Sequence, residues 1–295
     1  MKTFNWFPGH MKKAFDQIKN NLFLVDIVFM ILDARIPFSS INFKVLSLIQ
    51  QRHKPFLFLL NKSSLADNHK TTHFTKYYLK KAISSLSIDV IQQNPKFFLY
   101  EQAIKKIQSQ KNNFSNKANI KIMIVGMPNV GKSTLINSFA SKKVLKTANL
   151  AGTTIKNQWI KILSPNIQFL DTPGILSHNV DETKINLSLA LTGCFKDSTL
   201  ALDQIGKHTL NYLQKHYFNS LKKRFNLGID SRADDLVEFI GEKRKIYTKN
   251  QQIDRNKVYQ MILKETREGR LGKMNFDLDI LPSLDDFFQK QMKLS

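Results

Sequence analysis

The chain is 295 residues long, and at roughly 150 residues per domain that length predicts about two domains. Hydrophobic residues make up 42% and charged residues 23%, which supports a real core and excludes wholesale disorder. Lys and Arg number 45 against 23 Asp and Glu, a formal charge of +22, so polyanions are the expected partners, with nucleic acid ahead of a membrane surface.

Residues 1–20 are mixed polar and basic and lack a secretory h-region. The most apolar stretch, 22–36, is interrupted by Asp26, Asp33 and Arg35, far short of a membrane span. Within it, 25–32 reads as a buried strand running into Asp33-Ala34-Arg35-Ile36-Pro37. A helix follows at 43–51, then a strand at 55–60 ending in Asn61-Lys62. Polarity and length predict a second helix over 70–86 and a short strand at 88–91. Residues 111–119 are polar and aperiodic, hence a connecting loop, and 120–125 forms the next strand. These strand runs are short and rich in Val, Ile and Phe, as in a parallel sheet covered by helices. Cys194, the one cysteine, cannot form an internal disulfide or a Cys-based zinc cluster and reads as a small buried hydrophobe. Past about residue 190 the strand signals stop, and 200–218, 234–247 and 254–268 read as helices, with Gly206 a weak spot in the first. Residues 1–195 hold 26 basic and 9 acidic residues, and 196–295 hold 19 and 14, so most of the surplus charge lies on the α/β part.

Gly126-Met127-Pro128-Asn129-Val130-Gly131-Lys132-Ser133 fits the phosphate loop G-x-x-x-x-G-K-[ST] between a predicted strand and a helix over 134–140. Such a loop wraps phosphates with successive N–H groups at a helix N-terminus. Asn129, Val130, Gly131, Lys132, Ser133 and Thr134 are therefore the expected nucleotide contacts. Lys132 reaches the β- and γ-phosphates and the Ser133 hydroxyl ligates Mg²⁺. A strand over 166–170 leads into Asp171-Thr172-Pro173-Gly174, where Asp171 would hold Mg²⁺ through water and the Gly174 N–H would contact the γ-phosphate. Between these motifs, Gly152-Thr153-Thr154 is placed as a first switch, with Thr154 rather than Thr153 closing on the metal. Asn61-Lys62 resembles the base-reading N-K-x-D of GTPases, whose Asp pairs with the guanine N1–H and amino group. Here the fourth position is Ser64, so guanine selectivity should be weaker unless Asp67 compensates.

GTPases ordinarily run phosphate loop, first switch, D-x-x-G, then N-K-x-D. In this chain the N-K element comes first, an order that a circular permutation explains, with 111–119 as the new joint. The order resembles that of the circularly permuted GTPases. Asn5-Trp6-Phe7-Pro8-Gly9-His10-Met11, Asp33-Ala34-Arg35-Ile36-Pro37, the phosphate loop, Gln158-Trp159-Ile160-Lys161, Asp171-Thr172-Pro173-Gly174 and Arg270-Leu271-Gly272-Lys273 carry a further likeness. On these residues the sequence is similar to the ribosome biogenesis GTPase A family. Ser64 and Ala151 depart from the family pattern.

The resemblance implies a permuted Ras-like P-loop GTPase domain at 1–190 (a base-reading half at 1–110 and a phosphate-loop and switch half at 120–190). A helical RNA-binding domain at 191–295 completes the expected architecture. It implies GTP hydrolysis triggered by the ribosome, binding to the assembling large subunit and its rRNA, and K⁺ assistance through Asn129. The remaining expectations are a cytoplasmic monomer with no membrane partner. Ile175 follows Gly174 where Ras-like enzymes place a water-orienting Gln, so basal turnover should be slow. The catalytic set expected from the resemblance is His10, Lys132 and Gly174, with His10 either a catalyst or an RNA contact. The basic groups Lys12-Lys13, Lys80-Lys81, Lys105-Lys106, Lys142-Lys143 and Lys222-Lys223-Arg224 read singly as solvated faces, and together with the net charge as an RNA footprint. A nucleotide-regulated RNA-binding module with little hydrolysis, or a permuted GTPase acting on another RNA, stays open at this point.

Overall fold

A computed structural model describes residues 9–109, 119–140, 144–145, 157–162, 166–176, 183–227 and 233–294, with backbone alone for 9–11 and 233–235. Among the described residues six strands form one sheet in the order β3-β2-β1-β4-β6-β5. They are β1 (Ile27–Asp33), β2 (Phe56–Asn61), β3 (Ser85–Ser87), β4 (Ile120–Gly126), β5 (Gln158–Ile162) and β6 (Ile167–Asp171). All neighbours are parallel except β5 and β6. β1 is buried at every position, which is why it reads as a continuous apolar run rather than an alternating one.

Register brings the carboxyl ends of the strands level. Asp33 pairs with Asn61, Ile31 with Gly126, and Ile124 with Asp171. The chain moves outward from β1 to β2 to β3, then crosses back to place β4 on the other side of β1. Loops leaving β1 and β4 therefore part at the sheet's switch point, the crevice where such folds bind ligands. Around the sheet lie α1 (Gly9–Asn21), α2 (Phe43–Gln51), α3 (Asn68–Lys80), α4 (Lys96–Gln108) and α5 (Lys132–Phe139). Asn42 starts α2 by accepting from the Val45 N–H, and Asp67 starts α3 by accepting from the Lys70 N–H, each satisfying an amide that the helix leaves open.

The remaining helices are α6 (Thr183–Leu191), α7 (Leu202–His216), α8 (Phe218–Phe225), α9 (Ala233–Lys243), α10 (Arg255–Arg267) and α11 (Leu284–Leu294). The segment between α10 and α11 returns to the sheet. Buried Asp277 accepts from the Phe38 and Ser39 N–H groups at 2.8 and 2.9 Å, and the Met274 N–H donates to the Leu65 carbonyl.

Four local expectations are corrected. The helix expected over 70–86 ends at Lys80, where Ala82 takes φ +57° and reverses the chain. Its last residues instead form β3, a three-residue edge strand too short to show a period. The strand expected at 88–91 is the loop after β3. The single helix expected over 200–218 divides at Tyr217 into α7 and α8. Gly206 is no weak spot, because a Cβ there would lie 2.5 Å from the Tyr259 Cβ, so glycine is what lets α7 and α10 meet. Cys194 is buried, and burial pushes its thiol up to about 11, the inert packing residue that its isolation suggests.

Candidate nucleotide site

A cleft of about 1260 Å³ opens at the carboxyl ends of β1, β2 and β4. One wall is the phosphate loop. Asn129 sits at φ +61° and Gly131 at φ +103°, left-handed conformations that curl the backbone before α5 begins. The Asn61 side chain ties β2 to this loop. Its Nδ2 donates to the Val130 carbonyl at 2.9 Å, and its Oδ1 accepts from the Val90 N–H at 3.2 Å. Gly131 passes so close that a Cβ would fall 2.2 Å from the Asn61 Nδ2. Lys62 donates to the Asn129 carbonyl at 2.6 Å. The N-K pair thus braces the phosphate loop.

Lys132 is buried and donates to the Gly126 and Met127 carbonyls at 3.2 and 2.9 Å. Burial lowers its pKa to about 8, partly offset by the Asp171 carboxylate. Gly174 faces the same loop, and a Cβ there would lie 2.8 Å from Pro128 Cα and 3.1 Å from the Lys132 Nζ. Ser133 and Thr134 line the cleft beside Lys132 and Gly174. Thr154 lies outside the described residues. His10 falls in the first turn of α1, with its side chain also outside them.

A divalent ion fits this donor set. Asp171 is fully buried at the end of β6, and with the Ser133 hydroxyl it offers hard oxygen ligands, as Mg²⁺ requires. No cluster of three or more His, Cys, Asp or Glu occurs among the described residues. Ile175 is 4% exposed and its N–H donates to the Gly126 carbonyl, so its side chain belongs to the core.

Behind the loop lies a charge cluster whose role sequence reasoning missed. Asp33, 1% exposed, accepts from the Arg35 Nε and Nη2 at 3.0 and 2.8 Å and pairs with Lys62 at 3.0 Å. Burial alone would raise the Asp33 pKa, but Arg35 and Lys62 hold it far below the carboxylate range. Arg35 then donates to the Arg267 carbonyl at 3.1 Å. The Arg267 guanidinium grips the end of α6, donating to the Ala190 and Leu191 carbonyls at 2.7 and 2.8 Å. In the sequence Asp33 and Arg35 stand out as charges at the end of an apolar strand and as part of a family likeness, with nothing to show that they pair, and Arg267 carries no motif signal.

The opposite wall of the cleft comes from the helical part, including Lys196, Ser198, Gln260 and Lys264. Asp67 takes no part in the cleft lining, because it caps α3 and accepts from the Tyr217 hydroxyl. Two basic groups are partly committed within the fold. Arg224 holds Glu265 through two bonds at 2.8 and 2.9 Å, and Lys81 pairs with Asp285 at 2.7 Å. Lys142 and Lys143 lie outside the described residues. No described helix is long and apolar enough to cross a membrane.

Residues 121–226 match the family model of the 50S ribosome-binding GTPases. The chain is 38% identical over 279 residues to ribosome biogenesis GTPase A of Bacillus cereus, covering 92% of this chain and 93% of the relative. It is 33% identical to the probable ribosome biogenesis GTPase A of Mycoplasma genitalium, over 93% and 97% of the two chains. The solved structure of GNP-bound YlqF from T. maritima shares the fold, with a TM-score of 0.62 at 23% identity over 90% of this chain and 97% of that one. The order of motifs along a common sheet, the braced phosphate loop and relatives this similar over nearly the whole length lead to one conclusion: the chain belongs to the ribosome biogenesis GTPase A family and is a circularly permuted P-loop GTP hydrolase.

Proposed function

We propose that this protein binds the assembling large ribosomal subunit and promotes its late maturation, with GTP hydrolysis stimulated by the ribosome. The observation that carries this reading is the shared cleft, since one wall is the GTPase sheet edge and the other is helical. A nucleotide held by the phosphate loop would lie against both, so its state can bias how they sit together. Residues 1–190 would act as the GTPase domain and 191–295 as the RNA-binding domain, with lysine-rich faces neutralising rRNA phosphates. The relatives' names and the family model, which concern ribosomes, support the same partner.

In this reading Lys132 leaves the Gly126 and Met127 carbonyls for the β- and γ-phosphates. The loop N–H groups from Asn129 to Thr134 hold the phosphate chain, and the Gly174 N–H meets the γ-phosphate. Ser133, Thr154 and Asp171 would hold Mg²⁺, which neutralises charge developing on the phosphate oxygens. Asn129 already spends its Nδ2 on the Gly193 carbonyl at 3.4 Å, so its amide oxygen is the atom that would ligate K⁺. With Ile175 turned into the core, His10 is the candidate to orient water or, in the alternative, to contact RNA. The protein would work in the cytoplasm as a monomer.

Sedimentation with purified large subunits tests the reading. Binding should be tighter with a non-hydrolysable GTP analogue than with GDP, and equal affinity in the two states would overturn it.

A further inference from the structure

The N-K-x-D motif of GTPases places its guanine-reading carboxylate three residues after the Asn. In this chain Asn61 and Lys62 keep their places, and Ser64 stands where the carboxylate belongs. Within the fold a carboxylate nonetheless lies at that point. The Ser63 N–H donates to the Ile88 carbonyl, so the segment after β2 runs beside the loop after β3. This puts Asp89 against Ser64, whose N–H donates to the Asp89 Oδ2 at 3.2 Å. The Ile91 and Gln92 N–H groups fix the other oxygen, each at 3.0 Å. Burial would raise the Asp89 pKa, but these bonds together lower it, so the group is an anion at neutral pH.

Among the described residues three carboxylates line the cleft: Asp89, Asp197 and Glu268. Asp197 is held by Arg267 and Glu268 by Arg270. Asp89 is held by backbone N–H donors rather than by a cation among the described residues. Asn61, which braces the phosphate loop, reaches the Val90 N–H next door, so the position of Asp89 is tied to the phosphate site through one side chain.

We propose that Asp89 together with Ser64 reads the guanine base, the carboxylate having moved from the loop after β2 to the loop after β3. A guanine edge presents two donors, N1–H and the 2-amino group. The Ser64 hydroxyl oxygen, which lines the cleft, has lone pairs to accept one of them. The Asp89 Oδ2, with one N–H already bound, accepts the other. Adenine presents no such pair of donors, and inosine lacks the amino group. The inference rests on GTP being the nucleotide of this cleft and needs no ribosomal role.

The experiment is binding of fluorescent GTP, ITP, XTP and ATP to the full chain without ribosomes. The wild type should prefer GTP over ITP by roughly tenfold or more, since a site built to pair a donor rejects the analogue lacking it. Asp89→Asn should weaken GTP roughly 10- to 100-fold and strengthen XTP, because an amide can donate to the 2-carbonyl of xanthine. Asp89→Ser should lose GTP, and adding Ser64→Asp to it should restore affinity to within a few fold of wild type. Neither the XTP gain nor this rescue can arise from unfolding. GTP affinity unchanged in Asp89→Asn, no gain of XTP, or failure of the double variant to regain GTP would each overturn the proposal. Failure of ribosomal binding would leave it intact.

Discussion

Arg35 donates to the main-chain carbonyl of Arg267, which lies 232 residues further along the chain. The contact joins the end of β1 to the end of α10, and the Arg267 side chain extends it to the end of α6. α6 is the first described helix after Asp171-Gly174, the element that a lost γ-phosphate contact would loosen. Arg267→Ala should lower stability by about 1–3 kcal/mol, the range for losing hydrogen bonds from a charged donor. It should also reduce any difference in subunit binding between GTP-analogue and GDP states. Urea unfolding and the two-nucleotide sedimentation assay check both.

Asp33→Asn should be far more damaging. It strips the anion from two buried or half-buried cations, a change that typically costs about 3–5 kcal/mol. Because the folded pKa of Asp33 is depressed, its contribution is present above the unfolded value near 4 and is lost as pH falls below it. Thermal unfolding from pH 3 to pH 7 should therefore show a shallower acid limb in the Asn variant, even after its lower midpoint is allowed for.

Lys132 titrates where assays are run. Its pKa of about 8 in the nucleotide-free fold means that the amine loses its charge above that pH, and with it the attraction for phosphates. GTP affinity should hold steady from pH 6.5 to 7.5 and then fall by up to about tenfold per pH unit above 8. The same depression makes stability without nucleotide rise between about pH 8 and the unfolded value near 10.5, since the unfolded chain binds the extra proton there. Fluorescent GTP titrations across this range, with Lys132→Met as the pH-insensitive control, measure it.

Much of the fold was legible because its central strands are buried on both faces and read as unbroken apolar runs. The phosphate loop was legible because glycine and lysine spacing answers to backbone geometry and charge, not to distant contacts. What failed was tertiary in origin. β3 is a three-residue edge strand that exists by pairing with β2, so no local period announced it. Gly206 looks like a helix defect in sequence and is a helix contact in space. Ser64 looked like a missing carboxylate, whereas Asp89 lies beside it in a stretch read as strand. Asp67, the compensating residue weighed from sequence, is instead committed to capping α3.

GTP hydrolysis by the full chain in K⁺ buffer, with and without large ribosomal subunits and beside an ATP control, tests the central claim most directly. The account predicts slow basal turnover, clear stimulation by large subunits that falls when Na⁺ replaces K⁺, and little use of ATP. Turnover indifferent to large subunits would contradict it.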